Sequence, residues 1–412
     1  MTKRVVITGI AGISALGNDW GVIKQQLLGG KTAIKKMNKW SQIQGLHTNL
    51  GAPILDFKMP EHYTRKQLRS MGRVAQLATA ASENALMDAG LLEEFELLES
   101  GQVGIAYGSC SGSTEALCDL IKIRTESTVK NVSATTYVKS MSHTCAVNIA
   151  LIFGLTGRVI PTSSACTSSS QAIGYAYEAI KHGYQKIMLA GGAEELCPSQ
   201  VTIFDTLFAT SQKNDSPHLT PRPFDKNRDG LVLGEGACTL ILEEYEHAMA
   251  RGAKIYAEVV GFGTNCDARH ITQPTAEKMV EALKLALSGA KLEAQDIGYI
   301  SAHGTATDRG DIAESEATFA IFGNQVPMSS LKGNFGHTLG ACGALESWLS
   351  IMMMKDGLFM PTANLVEVDA ACAKLNYIMG SAQAIKTDII MSNNFAFGGI
   401  NTSLIFKDYL SE

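Results

Sequence analysis

The chain has 412 residues, 45% of them hydrophobic and 18% charged, with a net charge of −5. That balance describes a buried globular core, excludes a disordered chain and argues against a generic nucleic-acid binder, while the length accommodates two to three domains or one large α/β unit. No run approaches the ~18 consecutive apolar residues of a membrane span. Met1-Thr2-Lys3-Arg4 passes directly into a strand-like run, without the apolar core of a signal peptide, so a cytoplasmic protein is expected. The cysteines at 110, 118, 145, 166, 197, 238, 266, 342 and 372 are odd in number, widely spread and free of any Cys-x-x-Cys pair. Neither a zinc site nor a disulfide framework fits that spacing, so most read as small core residues and one as reactive.

In chain order, Lys3 to Thr8 reads as a buried strand, and Asn18-Asp19 caps a short helix that runs to Leu28. Residues 30–67 are loop-rich and lead into a basic cluster of Arg65, Lys66, Arg69 and Arg73. A long helix follows, with Val74, Leu77, Ala78, Ala81, Ala85 and Leu86 on its apolar face and Gly90 as its stop. Val103 to Gly108 is a strand, and the Ser/Thr-rich residues 109–145 read as an insertion or interface segment. Next comes the small-residue turn Pro161-Thr162-Ser163-Ser164-Ala165-Cys166-Thr167-Ser168-Ser169-Ser170, which opens a helix ending at His182-Gly183. A strand at 186–192, an ordered polar loop at 209–230 and a strand at 238–243 complete the first half.

The second half repeats this order. Ile255 to Gly261 reads as a strand, 276–288 as a helix ended by Gly289, and 298–304 as a strand entering a turn. Asn334-Phe335-Gly336-His337 precedes a helix carrying Ala341, Ala344, Leu345, Trp348 and Met352, and strands at 388–392 and 402–408 close the chain. Strand–helix alternation that recurs predicts two related α/β halves meeting near residue 250. If these pack about a pseudo-two-fold, the turns bearing Cys166 and His337 become symmetry mates. Cys166, His303, His337 and the Gly-rich loop at Phe397 then share one pocket at the strand ends. Cys166 lies at a helix N-terminus, where the macrodipole and free N–H groups favour a thiolate. Each histidine alone reads first as a hydrogen-bonded loop or core residue, their joint placement beside glycines at strand ends favours a shared site, and neither lies in a short metal-binding pattern.

The turn around Cys166, His303-Gly304-Thr305-x-Thr307 with Gly310-Asp311, Lys332-x-x-x-Gly336-His337-x-x-Gly-Ala and Asn394-Phe-x-Phe397-Gly-Gly-x-Asn401 together resemble the β-ketoacyl-[acyl-carrier-protein] synthases, closest to the synthase I/II branch of the thiolase superfamily. The likeness covers almost the whole chain. It implies a thiolase-like duplicated α/β fold, two βαβαβαββ halves giving a layered αβαβα core, with residues 1–250 bearing the nucleophile and 251–412 the two catalytic histidines. It implies a Cys-His-His enzyme joining an acyl thioester on Cys166 to malonyl-acyl carrier protein with loss of carbon dioxide. In that scheme the N–H groups of Cys166 and Phe397 form the oxyanion hole, and His303 and His337 hold the malonyl carbonyl. Lys332, Asp311 and Glu314 form a supporting network; Glu346 matches the motif as well, although a purely structural helix role competes. Thr305 and Thr307 meet the pantetheine arm, Phe397 is an aromatic gate, and Arg65, Lys66 and Arg69 dock the carrier protein. The resemblance implies no metal or redox cofactor, since phosphopantetheine arrives on the carrier, and a homodimer or a heterodimer with a related subunit.

Ile400, Ala396 and Gly333-Asn334-Phe335 depart from the housekeeping pattern and fit a polyketide or polyene ketosynthase as well as a fatty-acid enzyme. Two other readings compete: a thiolase acting on coenzyme A esters, which would need a second catalytic Cys near its C-terminus, and a non-catalytic partner subunit.

Overall fold

The computed structural model describes residues 2–409. Val5, Val6 and Ile7 start β1 (Val5–Ser14), whose burial on both faces explains the absence of polar alternation. β2 (Val103–Gly108), β3 (Val159–Thr162), β4 (Ile187–Glu194) and β5 (Gly236–Glu244) complete the first half in the spatial order β3-β2-β4-β5-β1. β2 runs parallel to β3 and β4, whereas β5 is antiparallel to β4 and β1. In the second half, β6 (Ala257–Cys266), β7 (Tyr299–Ser301), β8 (Pro327–Ser329), β9 (Ile389–Phe395) and β10 (Ile400–Asp408) take the equivalent order β8-β7-β9-β10-β6. Their parallel and antiparallel pairings match too, so the repeat legible in the sequence is a repeat of topology. Antiparallel pairs between β1 and β6, Val6 with Glu258 and Ile7 with Ala257, join the halves.

α1 (Arg73–Asp88) and α2 (Thr144–Phe153) cover the outer face of the first half, and α4 (Ala276–Ala290) and α5 (Asp308–Phe322) lie on the second. Between the halves lie α3 (Ser168–Lys181) and α6 (Cys342–Asp356), each touching strands of both. α6 is buried on nearly every side, which is why its sequence shows no amphipathic stripe. The two central helices start against each other. A Cβ on Gly343 would come within 2.1 Å of Ser170 Oγ, so only glycine allows this approach.

Some boundaries move from the sequence reading. Gly289 does not stop α4; the helix continues to Ala290 and Lys291 takes the left-handed cap at φ 58°. Interior glycine costs a helix only about 1 kcal/mol. β6 begins at Ala257 rather than Ile255 and extends to Cys266. Arg73 leaves the basic cluster, since its guanidinium is held by Glu235 at 2.8 Å. Arg65, Lys66 and Arg69 remain exposed, on and just after the short helix Arg65–Leu68 that Thr64 and Gln67 cap. Among the described residues, no helix is long and apolar enough to cross a membrane.

Candidate active site

β3 ends at Thr162, and a tight turn at Ala165–Thr167 lifts the chain into α3. The Ser/Thr richness of this stretch is spent on its own turn: Thr162 Oγ1 donates to Ser168 O, Ser168 Oγ accepts from Ser164 N and donates to Ala165 O, and Thr167 Oγ1 donates to Ser164 O. Ala165 is held at φ 51°, a left-handed conformation that costs a non-glycine residue about 1–3 kcal/mol and that these bonds sustain. Cys166, on the strained turn, is 4% exposed.

The turn after Lys332–Phe335 brings His337 to this sulfur, with Nε2 2.9 Å from Sγ. Bonds from His337 N to Val232 O and from Gly234 N to His337 O clamp its backbone to the first half. His303, at the end of β7, meets His337 edge to face with ring centroids 5.2 Å apart. Asn394 Nδ2 donates to Glu346 Oε2 at 2.7 Å and lies 3.3 Å from His303 Nδ1. An amide NH2 can only donate, so Nδ1 of His303 accepts and its proton sits on Nε2. Nδ1 of His337 has no such partner among the described residues, which leaves its tautomer unlocked.

Asp311 and Glu314, from the first turns of α5, organise the His303 turn by taking four consecutive backbone donors. Glu314 accepts the N–H groups of His303 and Gly304 at 2.7 Å each, and Asp311 those of Thr305 and Ala306 at 3.1 Å. Burial pushes Glu314 up to about 8 and Asp311 to about 6, against those donors. Lys332 is buried and paired with Glu346. Burial alone pulls an ammonium down, but the Glu346 carboxylate overrides it and keeps Lys332 charged. Glu346 thus ties α6 to the turn before His337, and removing one member of such a buried pair costs about 3–5 kcal/mol.

The expected thiolate is not the resting state. Burial pushes the Cys166 thiol up to about 12, against the Lys332 charge and the backbone N–H groups of Phe397 and of Cys166 itself. A helix end offers about half a charge, and removing a sulfur from water outweighs it. Both imidazoles are held well below 6.5, first by burial and then by the Lys332 charge, so they are neutral. In the unfolded chain these rings take up protons below about 6.5, so the unfolded state binds more protons there and stability falls with pH. That contribution is complete above about 6.5 and is lost toward the folded values. Calorimetry is expected to show the melting temperature falling between about pH 6.5 and 5, with a shallower fall in the His303→Gln/His337→Gln double variant.

A cleft of about 560 Å³ opens over these groups. Cys166, His303, His337, Thr305, Thr307 and Phe397 line it together, whereas Arg65, Lys66 and Arg69 do not. Thr305 and Thr307 bond each other through their hydroxyls at 2.9 Å. The Phe397 ring packs on Phe204 at 5.2 Å between centroids, and Gly398 and Gly399 beyond it have φ of 89° and 77°. Ligand atoms of Cys166, His303 and His337 lie within 4.8 Å of one another, as do those of His303, Cys342 and Glu346. Asn394, which orients His303, was not singled out from sequence. Its place at the head of the Asn394-to-Asn401 motif was the available signal, but a strand asparagine does not announce which ring it will face.

Residues 2–248 match the family model for the beta-ketoacyl synthase N-terminal domain, and residues 256–366 match that for the C-terminal domain. The 3-oxoacyl-[acyl-carrier-protein] synthase 2 of Synechocystis sp. is 35% identical over 413 residues, covering 99% of this chain and 98% of that protein. A crystal structure of a beta-ketoacyl synthase from Burkholderia phymatum is similar at TM-score 0.97 and 57% identity, over 98% of this chain and 99% of that one. A type II polyketide ketosynthase solved in complex with its acyl-carrier protein is similar at TM-score 0.86 and 28% identity, over 99% of this chain and 100% of that one. With one sulfur and two neutral imidazoles gathered between duplicated halves, and with these full-length likenesses, the chain belongs to the beta-ketoacyl synthase family.

Proposed function

We propose that the protein is a β-ketoacyl-[acyl-carrier-protein] synthase that extends an acyl chain by decarboxylative condensation. One observation carries the proposal: His337 Nε2 stands 2.9 Å from Cys166 Sγ, with His303 lining the same cleft. The thiol stays neutral until an acyl thioester is seated. Sγ then attacks the carbonyl carbon, its proton passes to His337 Nε2, and the oxyanion forms against the N–H groups of Cys166 and Phe397. The carrier thiol leaves with that proton.

Malonyl carrier then enters with its thioester carbonyl between the two imidazoles. Loss of carbon dioxide leaves an enolate, whose oxygen takes hydrogen bonds from His303 and His337. Its carbon attacks the acyl carbon, the C–S bond to Cys166 breaks, and a proton taken up from water restores the thiol. The locked Nε2–H of His303 suits a fixed donor, while the unlocked tautomer of His337 suits a group that accepts in the first step and donates in the second. No metal or redox cofactor is required, and the ammonium of Lys332 disfavours a second cation beside the rings.

The remaining assignments belong to the same proposal. Thr305 and Thr307 receive the pantetheine arm, Phe397 gates the apolar chamber beside Phe204, and residues 1–250 and 251–412 are the two functional halves. Exposed Arg65, Lys66 and Arg69 steer an acidic acyl carrier protein, the kind of partner seen with the similar polyketide ketosynthase. The proposal extends to a cytoplasmic homodimer; the pairing is supported by the sheet edge at β3, whose outer side has no partner strand among the described residues, and by exposed Ile121, Val129, Tyr137 and Leu151 nearby in the chain.

Incubation with a panel of acyl-carrier thioesters, followed by peptide mass mapping, is expected to place the acyl mass on Cys166, and the preferred chain length identifies the pathway. Folded protein that acylates at another cysteine, or at none with any donor, would refute the proposal and leave the partner-subunit reading in its place.

A further inference from the structure

Glu194, the last residue of β4, is fully buried, forms no ion pair among the described residues and has no part in the chemistry above. Its carboxylate nevertheless accepts from three separate walls of the site. Oε2 takes Cys110 N at 2.8 Å, from the loop after β2, and Gly340 N at 3.2 Å, from the turn that follows His337. Oε1 takes Ser109 Oγ and Gln200 Nε2, each at 3.2 Å. Gln200 belongs to the helix Pro198–Asp205, which also carries Val201 and the Phe204 that packs on Phe397. Val201, Phe204 and Leu339 share one apolar cluster with Cys166, and Cys110 packs against it.

One oxygen thus joins the two halves of the molecule at the residues next to the Cys166 cluster, and the other ties in the helix whose Phe204 meets the gate. Apolar packing has no direction and allows these walls to slide, whereas hydrogen bonds with fixed lengths do not. The approach is tight from both sides: a Cβ on Gly340 would lie 2.8 Å from Glu194 Oε2 and 3.1 Å from Cys110 N.

We infer that Glu194 is a positioning residue, a carboxylate clamp that sets the His337 turn against the Cys166 chamber and so holds imidazole and sulfur in register. The inference rests on reading Cys166 as the nucleophile and His337 as its proton acceptor. Glu194→Ala leaves the N–H groups of Cys110 and Gly340 without their acceptor and leaves the Gln200 amide only its bond to Ser111 Oγ. The variant is expected to alkylate Cys166 with iodoacetamide at least about tenfold more slowly, read by peptide mass, since a misplacement of about an ångström costs up to ~10²-fold. Glu194→Gln keeps the length and one acceptor oxygen for the same two N–H groups, while Gln200 can turn its amide to meet the new NH2. It is expected to stay within about threefold of the parent.

Thermal melts are measured in parallel, because a purely structural role slows alkylation only in proportion to the folded fraction, whereas a displaced His337 turn slows alkylation, and malonyl-carrier decarboxylation with it, in fully folded protein that the Gln variant rescues. Should Glu194→Ala fail to fold, Gly340→Ala takes its place: it retains the carboxylate and every donor but wedges the clamp apart, and is expected to show the same slowed alkylation in folded protein. Folded Glu194→Ala or Gly340→Ala with the parental alkylation rate overturns the inference, as does an equal loss in the Gln and Ala variants, which would point to charge instead of reach. Cys166→Ala separates the two levels: if it still condenses, the functional reading fails, whereas an inert Cys166→Ala beside an unaffected Glu194→Ala refutes the clamp alone.

Discussion

Cys166→Ala is expected to fold and to lose condensation by about four to six orders of magnitude, the scale seen when a covalent nucleophile is removed from a cooperating set. The side chain is small and 4% exposed, and the bonds that shape its turn come from Ser164, Thr167 and Ser168, so the backbone has no reason to move. His303 keeps its bond to Asn394, and His337, which gives up its contact with the sulfur, is still held by the backbone bonds of its turn to Val232 and Gly234, so malonyl-carrier decarboxylation should persist. The pair of assays discriminates: carbon dioxide release without chain extension is the expected outcome, and parental condensation by the purified variant would show that the acyl chain never rests on this sulfur.

His303→Ala and His337→Ala are expected to lower decarboxylation by about 10²–10³-fold each, the usual cost of one donor to a developing oxyanion. They should differ in the first step. His303 has its Nδ1 tied to Asn394 and is not the ring within reach of the thiol, so His303→Ala should acylate Cys166 at close to the parental rate. His337 makes the contact with Sγ, so His337→Ala should acylate more slowly while retaining some transfer. Single-turnover acylation and carbon dioxide release from malonyl carrier, run on each variant, resolve the two steps. Slow acylation with intact decarboxylation in both would invert the roles assigned here.

Much of this architecture is legible in the chain because the responsible interactions are local. The strand at Val103 to Gly108 is bounded as read, since a short run of buried residues between turn signals has few alternatives. Asp19 caps the helix Trp20–Leu28 by accepting from Val22 N, as an acidic side chain before an apolar repeat should. Motif spacing also brings out Cys166, His303 and His337, because turns rich in Gly, Ser and Thr at strand ends are where a backbone can present a side chain to a cleft. Where the reading slips, the cause is tertiary. Gly289 is carried through a helix, and Arg73 is drawn to Glu235, a residue 162 positions away.

By itself, then, the order of residues determined the duplicated α/β topology and pointed to the sulfur and the two rings that the fold brings together, each encoded by periodicity, turn chemistry or a short motif. Only the packed molecule decided the protonation states and the wiring. The thiol is neutral because burial outweighs a helix end, and Lys332 stays charged because Glu346 meets it in the interior. The tautomer of His303 is set by an asparagine 91 residues further along the chain. Desolvation and long-range hydrogen bonds depend on what surrounds an atom in space, and no spacing along a chain records that.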